Sequence, residues 1–393
     1  MGVPVLDPAL LDDLVRLRRD LHAHPELRFE ERRTAGIVAE RLAGLGLEVH
    51  RGLGGMGVVG TLRGEGPGAI LLRADMDALP ITEASGVPHA SRHPGRMHAC
   101  GHDGHVAMLL GAAAVLARGE RPRDTVHFVF QPGEEGGAGA LRMIEDGLFD
   151  LFPVAACFGL HNWPTLPVGH FGIRAGAIMA AGTRFTVTIE GRGGHAAQPH
   201  LAVDPIAIGC ALVGQLQTLV SRRTDPVKAG VLSVCMFHAG ESDNVLPGSA
   251  EIRGTIRTLD GGVMADLQAG LRAMAEGIPA AQGASGRVAF HGVYPLTANA
   301  PDEARFAAEV MRDLAGAEAV EDPTPSNMTS EDFGFMLERR PGAYGLIGVA
   351  EPGRPSPALH APTYDFNDAA IPQGVAYWTA LVRRWWDDGR TSG

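Results

Sequence analysis

The sequence predicts an α/β protein into which a second, ferredoxin-like α+β domain is inserted. Three observations carry that expectation. Up to about residue 179, strand-like and helix-like stretches alternate, as in a sheet layered with helices. From about 180 to 291 the order becomes β-α-β-β-α-β, that of a ferredoxin-like unit. Helix and strand patterns that resume after 292 would then rejoin the first layer. The expected division is a discontinuous domain of residues 1–179 and 292–393 around an insert of residues 180–291.

In order, Leu10, Leu14, Leu17 and Leu21 recur at helical spacing until Pro25, and "RTAGIVAERLAGLG" reads as a second helix ending in glycines. "GVVGTL" and "AILLRA" read as strands. The latter is almost wholly apolar, as expected of a strand covered on both faces, and runs into "DMDALP". "HVAMLLGAAAVLA" is a helix, "TVHFVF" a strand ending at "QPGEEGG", and "VAACFGL" a strand ending at His161. The insert comprises "RFTVTIEG", the helical "DPIAIGCALVGQLQTLV", the strands "VLSVCMFHAG" and "AEIRGTIRT", the helix "GVMADLQAGLRAMAEG" and the strand "RVAFHGVYP". The helix "DEARFAAEVMRDLAG", the strand "AYGLIGVA", a Pro-rich loop carrying His360 and a terminal helix from Val375 follow. "GLGGMG" at 52–57 fits G-x-G-x-x-G, but a strand follows it where a dinucleotide site needs a helix, so it reads as a turn.

Composition narrows the function. In 393 residues, 45 acidic against 34 basic side chains give a net charge of -11, which disfavours nucleic acid and anionic membranes as partners and leaves small molecules. Lys228 is the only lysine, which sets aside Schiff-base chemistry. Cys100, Cys157, Cys210 and Cys235 lie too far apart to resemble a disulfide framework, which points to a reducing compartment. "MGVPVLDPALLDDL" lacks the basic flank and apolar run of a signal peptide, and no run reaches the roughly 18 apolar residues of a membrane span. The sequon at Asn327 reads as chance, and a cytoplasmic protein is expected.

Asp75 and Asp77 follow one strand, Glu134 and Glu135 a second, and His161 ends a third. In open α/β sheets ligands bind beyond the carboxyl ends of strands, so these residues are expected to converge with "MHACGHDGH", residues 97–105. A Cys, His and carboxylate set suits Zn²⁺, Mn²⁺ or Co²⁺. Adjacent glutamates permit one ligand and one free base, although such pairs are also common on solvated surfaces.

"RADMDALP", "HACGHDGH", "QPGEEG", "GLHNWP", "GRGGHAAQP", "NVLP" and "LHAPTYDFND", in this order, resemble the M20 metallopeptidase-like amidohydrolases, above all the branch with hippurate hydrolases, N-acyl-amino-acid amidohydrolases and auxin-conjugate hydrolases. The resemblance implies a zinc-peptidase-like catalytic domain with a lid and dimerisation insert. It implies two divalent ions per subunit (Zn, Mn, Co or Ni) held by Cys100, His102, Glu135, His161 and His360. Glu134 would be the general base. Asp77 and Asp103 would orient His102 and its neighbours, and Asp77 is counted among the catalytic residues. Asp75 stands where many other branches have histidine, and Cys100 near where they have a bridging carboxylate. His195 would polarise the scissile carbonyl, from its own or a partner subunit, and Asn244 and Arg257 would hold the substrate carboxylate. Arg257 also fits a plain exposed strand position. His127, His238 and His291 lie inside strand patterns and read as structural; His89, His93 and His98 receive no role. The implied activity is hydrolysis of N-acetyl, N-benzoyl or similar N-acyl amino acids by a homodimer or higher oligomer. The alternatives are a dipeptidase or aminopeptidase, an N-acetyl-diaminopimelate deacetylase, and a lapsed metal-dependent binding module.

Overall fold

The computed structural model describes residues 6–119, 122–351, 353 and 356–390; the first five residues of the N-terminal stretch read above lie outside them. The chain divides into two compact units, Met1–Ile178 with Ala298–Pro325 and Asp332–Gly393, and Met179–Thr297 with Ser326–Glu331. The second unit thus takes in residues 179, 292–297 and 326–331 beyond the span read from the sequence.

The first unit is built on an eight-stranded sheet. Strands β1 (Glu48–Leu53), β2 (Gly57–Leu62), β3 (Ala69–Asp75), β4 (Thr125–Gln131), β5 (Ala156–Pro167) and β6 (Phe171–Gly172) are joined by Gly342–Ala350 and Val320–Glu321. The order is β1-β2-β4-β3-β5, then Gly342–Ala350, β6 and Val320–Glu321. β3 pairs in parallel with both β4 and β5, so β3 is where the winding changes direction. Strand β1 is absent from the sequence reading because "EVHRGL" is mostly exposed and has no apolar alternation. "GLGGMG" is the β1–β2 turn, with Gly52, Gly54 and Gly55 all at positive φ.

Helices α1 (Pro8–Ala23), α2 (Arg32–Gly44) and α3 (His102–Arg118) pack with the terminal helix Ile371–Asp387 around one apolar core. Asp7 caps α1 by accepting from the Ala9 amide, with Pro8 in the first turn, and Leu14, Leu17 and Leu21 fill the buried stripe. α3 is buried almost all round, which explains why its sequence is apolar without a polar face. The terminal helix starts at Ile371, earlier than Val375, because Pro372 suits a first helical turn.

The second unit has the expected β-α-β-β-α-β order. Its antiparallel sheet runs Gly230–His238, Ser249–Thr258, Ala181–Glu190, Ser285–Tyr294, with helices Pro205–Thr218 and Gly261–Ala281. Phe185, Val187, Ile189, Ile252, Ile256, Leu212 and Leu271 form its core, while alternate residues of the strands face away from the helices.

Candidate metal centre

The carboxyl ends of β3 and β4, the start of α3 and the His360 loop deliver donors, while His161 stands inside β5, which runs on to Pro167 instead of ending at His161 as its sequence suggests, just past the end of its pairing with β3. Gly101 precedes α3 at φ 84° with the Asn162 amide where a side chain would stand, so the turn brings Cys100 and His102 in beside β5. Sγ of Cys100 lies 3.4 Å from Nε2 of His161. Cys100, His102 and Glu135 each offer an atom within 4.8 Å of the others. His360, at φ 65°, is fixed by its amide donating to the Ala99 carbonyl and puts Nε2 2.9 Å from Oε1 of Glu135.

Hydrogen bonds fix which histidine nitrogens face the cluster. Nδ1–H of His102 donates to the Asp77 carbonyl at 2.8 Å, and Nδ1–H of His161 donates to the Asn162 carbonyl at 2.7 Å. A carbonyl only accepts, so Nδ1 of each ring carries a hydrogen and Nε2 is the atom left for the site. Buried Nε2 of His102 has no hydrogen-bond partner, and Oε1 of Glu135 has only Nε2 of His360. Orphaned buried donors of this kind are what a divalent cation satisfies.

His105 behaves differently. The Asn162 amide donates to its Nε2 at 3.1 Å and its Nδ1 meets Oδ1 of Asp75 at 2.5 Å, so both nitrogens are engaged. The other Asp75 oxygen accepts from Arg73 at 2.7 Å. Although Asp75, His102, His105 and His161 cluster within 4.8 Å, two of the four are already committed to protein partners. The Asp75 carboxylate is therefore a partner of His105.

The electrostatics suit a cation. Burial pulls the His102 imidazole down, but the charges of Asp75 and Cys100 outweigh it and raise its pKa well above the ordinary value. Hydrogen bonds to Cys100 and Glu135 push His360 up to about 10. Burial raises the Cys100 thiol, which a bound cation would deprotonate. The residues present fit a divalent metal site.

The two adjacent glutamates diverge. Glu135 (ψ 78°) and Gly136 (φ 74°) break the helical path, and the Glu135 amide donates to Oδ2 of Asp77 at 2.8 Å. Glu134, buried, accepts from the Asp332 amide at 3.3 Å. Asp332 is held in turn by Arg73, Gln131 and the Ala140 amide.

Asp77 sits between His102 and Glu135, with Oδ1 3.3 Å from Nδ1 of His102. Asp103 does not orient His102. Because it points off the opposite side of the first turn of α3, its carboxylate meets Nδ1 of His22 at 2.9 Å and Nη1 of Arg18 at 3.5 Å. Asp103 and Glu83 outweigh the downward pull of burial and push His22 up to about 10. His98, assigned no role from sequence, is fully buried beside this group, and burial lowers it to about 4.

His195, Asn244 and Arg257 belong to the second unit. His195 is exposed and pairs with Val245, and the Asn244 carbonyl accepts from the Ala196 amide at 3.1 Å, so these two motifs meet. The Ala197 amide donates to Nδ1 of His195, which leaves Nε2–H as an outward donor. Arg257 lies opposite Gly182, at the other end of the sheet from Glu190 and Ser249, near which the His195 hairpin departs. Eight residues of strand separate the two ends, roughly 27 Å.

Sequence reasoning missed Arg73, His105, Gln131 and Asp332. Arg73 carried a signal: a lone charge inside an otherwise apolar strand must be paired.

The model of peptidase family M20/M25/M40 matches residues 71–384. The chain is 38% identical over 393 residues to an N-acetyl-L-cysteine deacetylase of Bacillus subtilis, covering 99% of this chain and 92% of that protein. It is 37% identical over 384 residues to a hippurate hydrolase of Campylobacter jejuni, covering 97% and 99%. Among solved structures, the Bacillus subtilis YXEP protein, described as a dinuclear metal-binding peptidase of the M20 family, superposes with a TM-score of 0.82 at 32% identity over 97% of this chain and 99% of that one.

Proposed function

The chain belongs to peptidase family M20/M25/M40, and from that premise we propose that it hydrolyses the amide bond of N-acyl amino acids at a two-metal centre. The observation that carries the reading is the divergence of Glu134 and Glu135 on one turn, one glutamate among the metal donors and its neighbour held apart by the Asp332 amide.

Cys100, His102, Glu135, His161 and His360 would hold the cations. When bound, such ions polarise the amide carbonyl and acidify a water. Glu134 takes the proton of the attacking water and passes it to the leaving nitrogen, so that the products are a carboxylic acid and a free amino acid. Asp77 keeps His102 and the Glu135 backbone in register. His195 donates from Nε2–H to the developing oxyanion, and Asn244 and Arg257 hold the substrate carboxylate, Arg257 with a fork suited to it.

The separation of His195 and Asn244 from Arg257 within one copy exceeds the length of a small substrate, so the two groups serve the active sites of different copies. Edge strand Gly230–His238 exposes Val231, Met236 and Phe237, and Ile206 and Val245 are also exposed, a surface suited to a homodimer. Among the described residues no helix is long and apolar enough to cross a membrane. With dispersed, unpaired cysteines, this supports a cytoplasmic setting.

The test is release of free amino acid from N-acetyl and N-benzoyl amino acids, with chelator and with Zn²⁺, Mn²⁺ or Co²⁺ restored. Glu134→Gln should lower kcat by about a hundredfold or more with metal content near wild type. An active Glu134→Gln enzyme would remove the base from the mechanism, and wild-type cleavage of unblocked dipeptides alone would replace the reading with a dipeptidase.

A further inference from the structure

The face of the second unit's sheet that turns away from its helices carries a group of cations wider than the single arginine used above. Arg184 lies opposite Thr255 in the strand pairing, which makes Arg257 its diagonal neighbour on the same face, about 7–8 Å away. His291 stands opposite Arg184 on the other side and is exposed. Arg184, Thr186, Thr255 and His291 help line a cavity of about 590 Å³ that opens on this face.

The neighbouring charges on the face are already neutralised. Arg253 pairs with Glu251 at 2.8 Å and Arg287 approaches Glu190 at 3.8 Å. Among the described residues no carboxylate lies within ion-pair distance of Arg184 or Arg257. Nη1 of Arg257 is held by Oγ1 of Thr255 at 2.8 Å and the Ile256 carbonyl at 3.1 Å, both neutral. Burial and then the charge of Arg184 pull the Arg257 guanidinium below its ordinary value. Like charges side by side are unfavourable unless an anion joins them. In a chain with net charge -11, acids to neutralise them were plentiful. Gly182 keeps the face open here: a side chain on it would meet Nη1 of Arg257.

We propose that Arg184, with His291, is a second carboxylate site beside Arg257, and that the preferred substrates are therefore N-acyl derivatives of acidic amino acids. This rests on the amidohydrolase reading above: Arg257 takes the α-carboxylate, and Arg184 takes the side-chain carboxylate at the end of a short aliphatic spacer. His291, which sequence pattern marks as a structural strand residue, supplies a ring N–H at the rim of the same site.

The experiment compares N-acetylglutamate with its neutral isostere N-acetylglutamine on wild-type holoenzyme and on Arg184→Gln. Wild type should favour the glutamate by roughly tenfold or more in kcat/KM, and Arg184→Gln should erase that ratio. Equal rates on the two wild-type substrates, or a ratio that survives Arg184→Gln, would overturn the inference while leaving the amidohydrolase reading intact. A ratio unchanged with both rates depressed would place Arg184 at the α-carboxylate and likewise overturn it. Calorimetric binding of both compounds to wild-type holoenzyme separates the two readings. Tighter binding of the glutamate without turnover of any N-acyl amino acid would keep the second carboxylate site and refute the activity.

Discussion

Replacing Asp103 with asparagine should cost stability and leave metal binding in place. Asp103 and His22 are fully buried and Arg18 is 1% exposed. At 2.9 Å from His22 and 3.5 Å from Arg18, the carboxylate has about 5 kcal/mol of attraction to each at an effective dielectric of about 20. The whole is not lost in the variant. Asparagine keeps an acceptor for Nδ1–H, His22 can release its proton once the anion is gone, and Arg18 retains Asp365 at 2.6 Å and Asp368 at 2.7 Å. What remains is a buried guanidinium short of one partner, and breaking such groups costs about 3–5 kcal/mol. For a domain of this size that lowers the unfolding midpoint on the order of 10 °C. The assay is thermal unfolding at pH 7 with metal content measured on the same preparations, together with the His22 pKa by NMR, which should fall from about 10 toward its ordinary value. A variant that melts with the wild type but loses metal would refute the reasoning, because it would put Asp103 behind His102 after all.

Two further outcomes follow from buried histidines. His127 is held between Thr61 and Phe152, and burial followed by the charge of Arg63 lowers its pKa from 6.5 to about 4. Because the folded value is depressed, its contribution is complete above pH 6.5 and is lost as pH falls through 4, about 3 kcal/mol in all. His127→Gln should therefore flatten the dependence of the urea midpoint on pH between 6.5 and 4, and parallel slopes for the two proteins would count against it. His105→Phe keeps the ring volume but removes both hydrogen bonds, leaving Oδ1 of Asp75 unpaired. Metal stoichiometry should hold while kcat/KM falls about 10–100-fold; loss of a full metal equivalent would make His105 a ligand and break the tautomer argument.

Most of the residues proposed as donors stood out in the sequence because they lie in or follow an apolar strand or begin an apolar helix, whereas His360 stands on a loop and was named only through the family resemblance. A buried strand that ends in Asp75, or runs out into Glu134 and Glu135, has nowhere to place those groups except at the sheet's carboxyl edge, whereas His161 stands inside β5 just past its pairing with β3. The partners that tune them were not legible, since their contacts join residues far apart in the chain. Arg18 meets Asp365 and Asp368 across some 350 residues, and Asp332 reaches Arg73 across 259. Periodicity reports which side of a helix is buried, but which carboxylate faces a buried guanidinium is set by packing between elements. The same limit applies to Arg184, whose proximity to Arg257 depends on a register that the sequence of one strand does not contain. Asp75 shows how the two levels combine. Its position pointed to the metal centre, yet its function turned on whether its oxygens were free, and His105 and Arg73 occupy both. A carboxylate that its place after β3 marked for the site is thus a brace for His105, which leaves Cys100, His102, Glu135, His161 and His360 as the proposed metal donors.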